Sequence, residues 1–256
     1  MGMDWLTHDR YLDSAAADGR RLAGAVAAGD LAATVPSCPE WTLRDLAFHQ
    51  GMVFRWIGEI VARKAQQRLP FKEVPDREMP AGGEAAWLQA GADRTIALLR
   101  ETGPDLDVWG WAGTGGTRWW ARRIAHETLV HRIDGDLTAG LLPEAAADLA
   151  ADNIDELLTN ATDATARAFT ARDRLAGEGD SLHLHCTDVP GEWQLLRTPE
   201  GFTFSYGHAK ADAAVRGTAL DVMLWLNGRL PQGAVGPELF GEAHVPQLWR
   251  EGLSLN

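Results

Sequence analysis

The chain has 256 residues, enough for one large domain or two ordinary ones, and its 45% hydrophobic and 23% charged residues form a globular mix that excludes disorder and collagen-like order. A net charge of −12, with no basic cluster denser than Arg122-Arg123, argues against nucleic acid as a partner. No apolar run approaches the ~20 residues of a spanning helix, MGMDWLTHDRYLD lacks an apolar signal core, and Cys38 and Cys186 are too few for a disulfide framework. The expectation is a reduced, cytoplasmic chain with no membrane partner.

Residues 4–29 space Trp5, Leu12, Ala15, Leu22 and Val26 as one helix face. Pro36 and Pro39 interrupt. Thr42 with Asp45 resembles a capping box, and Leu43, Leu46, Val53, Ile57 and Ile60 continue a second helix to about Gln66. Pro70, Pro75 and Pro80 mark residues 67–82 as a loop. A third helix spans about Gly83 to Arg100. Between Thr102 and Thr117, five glycines end that helix while Trp109 and Trp111 demand packing, so an ordered loop is expected. A fourth helix covers about Thr117–Thr138 and a fifth about Pro143–Ala171, with Pro143 suited to a first turn.

After residue 175 the period changes to two. Residues 182–186, 193–197, 202–206 and 213–217 read as strands, and Thr218 caps a helix that Gly228 ends. The polar, glycine-containing stretch 172–180 sets the expected boundary, giving domains 1–174 and 175–256. The fold class is α followed by α+β: a helical bundle and a small mixed domain.

The chemistry concentrates in the fourth helix. Trp120, Ile124, Glu127, His131 and Asp134 share one stripe, which Trp120 and Ile124 turn inward. A carboxylate and an imidazole on such a stripe need partners, and a metal ion satisfies both. His126 stands one residue too far from His131 for the H-E-x-x-H pattern and points elsewhere. On helix two, His49 lies between Leu46 and Val53 and could face helix four. His49, Glu127 and His131 would then form a two-histidine, one-carboxylate set with an open position, typical of catalytic zinc. Spacing alone leaves this and the reading of hydrogen-bonded core histidines both open.

The segment Val35-Pro36-Ser37-Cys38-Pro39-Glu40-Trp41-Thr42-Leu43-Arg44-Asp45-Leu46, with His49, resembles the start of helix two in mycothiol-dependent maleylpyruvate isomerases. Trp119-Trp120-Ala121-Arg122-Arg123-Ile124-Ala125-His126-Glu127, with His131-Arg132 and Asp134, is similar to that family's metal-binding helix. Val215-Arg216-Gly217-Thr218-Ala219-Leu220-Asp221 and Trp225-Leu226-Asn227-Gly228-Arg229 resemble its C-terminal domain. The resemblance implies a DinB-like four-helix bundle followed by a sterol-carrier-like α+β domain. It implies a divalent metal, zinc, on His49, Glu127 and His131, with mycothiol as thiol cosubstrate. It implies an isomerase or S-transferase acting on an electrophilic small molecule, in a cleft between the domains. Glu40 departs from the family's common Gly. A C-terminal arginine that reaches the family's active site matches either Arg216 or Arg229. Two alternatives remain: a thiol-independent metalloenzyme, and a non-catalytic metal- and ligand-binding protein.

Other residues read more plainly. Cys38 and Cys186 read as small packed residues. His183 and His185 share a strand face; with no carboxylate or third histidine beside them in sequence, that face reads as solvated. Trp109, Trp111 and Trp119 are candidates to line the mouth of the site.

Overall fold

Side-chain caps start the first two helices of the first unit, Leu6–Pro143, and glycines precede the other two, in the computed structural model, which describes residues 4–113, 115–163 and 172–253. Helix α1 (His8–Ala28) begins where the Thr7 hydroxyl accepts from the Arg10 amide. A short hairpin, β1 (Thr34–Val35) and β2 (Cys38–Thr42), leads into α2 (Leu43–Ala62). The Thr42–Asp45 capping box is complete: each side chain takes the other's backbone N–H, at 3.2 and 2.9 Å. Helices α3 (Glu84–Thr102) and α4 (Thr117–Thr138) complete the four-helix bundle.

Helix α4 is buried on nearly every side, its polar residues included. Arg132 donates to Asp136 at 2.8 Å and to Asp18 of α1 at 2.9 Å, and Arg21 of α1 reaches Asp136 at 2.9 Å. Gln50 of α2 donates to Thr128 of α4 at 3.0 Å. These bonds fix how α4 is rotated against α1 and α2, and so which α4 residues face His49. The long loops are tied down by indoles: Trp56 Nε1 donates to the Leu69 carbonyl and Trp120 Nε1 to the Trp109 carbonyl.

The second unit, from Glu144 on, combines α5 (Ala147–Thr162), β3 (Gly179–Cys186), β4 (Glu192–Thr198), β5 (Gly201–Tyr206), β6 (Ala213–Gly217), α6 (Ala219–Leu226), β7 (Glu238–Gly241) and α7 (His244–Leu253). The sheet order is β5-β4-β3-β6-β7. Strands β3 and β6 run parallel, and the other neighbours are antiparallel. Leu182, Leu184, Trp193, Leu195, Phe202 and Val215 are fully buried on one sheet face.

Several expectations are corrected. The compact units divide at Pro143/Glu144 and not at 174/175, because α5 is bound into the sheet. Asp155 accepts from Trp193 Nε1 at 3.2 Å and from the Tyr206 hydroxyl at 2.8 Å, and Asn153 accepts from Asn227 at 3.0 Å. Helix α5 starts at Ala147, after Pro143; its expected continuation over 164–171 lies outside the described residues. The hairpin β1–β2 and strand β7 carry no clear sequence period and were not expected; helix α7 was not expected either, although Val245, Trp249 and Leu253 recur at a helical period and are buried.

Candidate metal centre

Helices α2 and α4 bring His49, Glu127 and His131 together. One Glu127 oxygen, Oε1, lies 3.0 Å from His49 Nε2 and 3.4 Å from His131 Nε2. One ligand atom from each residue falls within a 4.8 Å cluster, and the two imidazole centres are 4.7 Å apart.

The surrounding residues orient these three. His131 donates from Nδ1 to Asp134 Oδ2 at 2.8 Å, which leaves Nε2 directed at Glu127. Asp134, itself fully buried, also accepts from the Ser37 hydroxyl of the β1–β2 turn. A carboxylate that fixes a histidine in this way is the usual support of a metal-binding imidazole. Arg123, one turn before Glu127, holds the other carboxylate oxygen, Oε2, at 3.3 Å. Trp41 packs its ring over the pair, 4.8 Å from His49 and 5.8 Å from His131.

Electrostatics follow from this enclosure. Burial alone would raise the Glu127 carboxyl, but hydrogen bonds from His131 and His49, with the charges of His131 and Arg123, hold it well below the ordinary range. Burial alone would lower His131; its bonds to Asp134 and Glu127 outweigh that and raise it to about 9.

An open groove of about 900 Å³ reaches the cluster at His49. Trp41, Phe48, Met52 and Phe71 give it apolar walls, while Asp45, Glu78 and Arg77 add charge. Phe48 and Phe71 are each 45% exposed, an unusual degree of exposure for large apolar rings that suits a binding wall.

The sequence identified the three ligand candidates and Asp134's stripe. It missed Trp41, Ser37 and Arg123 as supports. Arg123 was findable from its i,i+4 spacing to Glu127; Trp41 and Ser37 become neighbours only through the hairpin. Trp109, Trp111 and Trp119 do not stand where Trp41 does. They pack ring against ring, with Trp111 5.1 Å from Trp119 and Trp109 5.7 Å from Trp56. His126 is buried edge-on to Tyr11, away from the cluster. Arg216 and Arg229 belong to the second unit. There Arg216 pairs with Glu238 at 3.0 Å, and the buried Arg229 donates to the Asn227 carbonyl. His183 is not on a solvated face: it is 5% exposed.

Comparison with known proteins agrees with this architecture. The mycothiol maleylpyruvate isomerase N-terminal domain model matches residues 12–134, and the corresponding C-terminal domain model matches residues 148–248. Crystal structures of the mycothiol-dependent maleylpyruvate isomerase and of a histidine-to-alanine mutant of it superpose with a TM-score of 0.58 at 16% identity, covering 94% of this chain and 96% of theirs. No curated protein sequence matches significantly. With both domain models matched in order over most of its length, the chain belongs to the mycothiol-dependent maleylpyruvate isomerase family.

Proposed function

We infer that the chain is a metal-dependent enzyme that uses mycothiol to act on an electrophilic small molecule, as an isomerase or an S-transferase. The observation that carries this reading is the convergence of His49, Glu127 and His131 from two helices, at the end of a groove. The donor set fits a divalent ion: two imidazoles and one carboxylate, with Asp134 behind His131. No fourth protein ligand joins this cluster among the described residues, which suits a catalytic site with an open position more than a closed structural one.

When bound, a divalent ion such as zinc lowers a thiol's pKa, so that thiolate is present at neutral pH. The chain's own residues do the rest. Asp134 and Arg123 fix the directions of His131 and Glu127. Trp41, Phe48 and Phe71 offer the groove's apolar walls to the electrophile. Addition of a thiolate to an activated alkene turns its double bond into a single bond and leaves a stabilised carbanion; rotation about that bond and expulsion of the thiolate return the trans isomer. A transferase stops once the sulfur–carbon bond has formed. Arg216 or Arg229 is the proposed grip on an anionic acceptor, since a guanidinium holds a carboxylate through two bonds.

The test has two arms. Zinc content is measured in wild type and His131→Ala, and turnover of an activated cis-alkene acid is measured with and without mycothiol. The reading expects zinc to be lost in the variant and turnover to require thiol. Equal zinc in both proteins removes His131 from the site, and undiminished turnover without thiol assigns the protein to thiol-independent chemistry.

A further inference from the structure

The sheet of the second unit assembles another set of ligand-type side chains, separate from the bundle cluster. His183 and His185 lie two apart on β3 and therefore share a face. Glu192 sits opposite His185 in the β3–β4 register. His208 follows β5, where the Gly207 amide donates to the Glu192 carbonyl at 3.1 Å and returns the chain to the start of β4. The four side chains converge on one carboxylate. His185 Nδ1 is 3.1 Å from Glu192 Oε1; His208 Nδ1 and His183 Nε2 are 3.2 and 3.4 Å from Oε2. One ligand atom from each of the four lies within 4.8 Å of the others.

A second observation points to a ligand. His183 Nε2 and Glu192 Oε2 are both shut off from water, and their 3.4 Å contact with each other lacks hydrogen-bond geometry, so neither is satisfied by it. The imidazole that carries the nitrogen is 5% exposed and aimed at the carboxylate. Buried polar atoms left in this way are rare and call for an occupant. Three imidazoles and one carboxylate suit a borderline cation, and zinc most of all.

We propose that His183, His185, Glu192 and His208 form a second zinc site, which fastens the β3–β4 turn to the segment after β5. Four protein ligands close a tetrahedral shell, so this site is structural, in contrast to the three-ligand site of the bundle. Arg216, beside His185 across the β3–β6 ladder, is paired with Glu238 at 3.0 Å. The proposal does not rest on the reading of the bundle site.

The experiment uses the full-length protein, loaded with zinc, desalted and assayed for metal. Wild type is expected to hold about two zinc ions per chain, and His185→Ala/His208→Ala about one. Both substituted side chains are partly exposed, so the buried His183 and the fold stay in place. Equal zinc in wild type and the double variant overturns the second site, whatever His131→Ala does. A second readout is the melting temperature in the His131→Ala background. Added zinc is expected to raise it there, and to leave it unchanged once His185 and His208 are also alanine. Identical zinc responses in those two proteins overturn the proposal as well.

Discussion

Asp134 governs the candidate centre although it is not one of the three proposed ligands. Its carboxylate receives the His131 Nδ1 proton at 2.8 Å, and the Ser37 hydroxyl holds it from the other side. Asp134→Asn keeps the shape and removes the charge. Zinc affinity is expected to fall about 10- to 100-fold, as for other carboxylates that support a ligating histidine, with the circular dichroism spectrum unchanged. Competitive titration against a chromophoric chelator reads this directly. The raised pKa of His131, about 9, carries its own consequence. In the metal-free protein the imidazole is protonated at neutral pH, whereas a ligating imidazole is neutral. Zinc binding at pH 7 is therefore expected to release about one proton from this residue, and apparent affinity to rise about tenfold per pH unit until pH reaches about 9. Calorimetry in two buffers of different ionisation enthalpy measures that proton. Identical heats in both buffers would contradict it.

The joint between α2 and α3 sets the position of His49 on its helix. A Cβ at Gly51 would lie 2.2 Å from Trp87 Cζ3, so α2 can approach the Trp87 indole only through a glycine. That indole has little freedom to move. Its Nε1 donates to the Asp76 carbonyl at 2.9 Å, and the Arg55 guanidinium covers its ring at 3.7 Å. Gly51→Ala should gain about 1 kcal/mol of helix propensity and lose about 1–3 kcal/mol to overpacking. The expected result is net destabilisation in urea unfolding, together with weaker zinc binding as α2 shifts. How far the sequence discloses such elements depends on range. The helices α1 to α4 and strands β3 to β6 follow from local period and caps; Thr42 with Asp45 marks the start of α2 unaided. Strand β7 does not follow, because Leu239 and Phe240 are exposed and no alternation marks them. The three bundle ligands were legible because Glu127 and His131 are one turn apart and His49 sits on an apolar stripe. Glu192 and His208 were not, because only strand pairing carries them to His183. Trp41 was missed for the same reason, since its approach to both imidazoles depends on the β1–β2 hairpin.

The division of the chain at Pro143/Glu144 places all three bundle ligands in one unit. A fragment of residues 1–143 is expected to retain about one zinc ion. Its turnover should fall on the order of 30- to 1000-fold, the weight of one charge-assisted contact to an anionic substrate, if Arg216 or Arg229 supplies that contact. Loss of zinc from the fragment would mean that the units are not independent; full turnover would remove both arginines from the reaction. The bond between His49 and Glu127 joins residues 78 positions apart, with all of α3 in the intervening chain. The cluster therefore exists only once α2 and α4 have docked, a step expected to follow the folding barrier. An ion held there stabilises the finished bundle without stabilising the barrier that leads to it. In stopped-flow experiments, excess zinc is expected to slow unfolding and to leave the refolding rate unchanged, so the ion would lengthen the lifetime of the folded chain without hastening its formation.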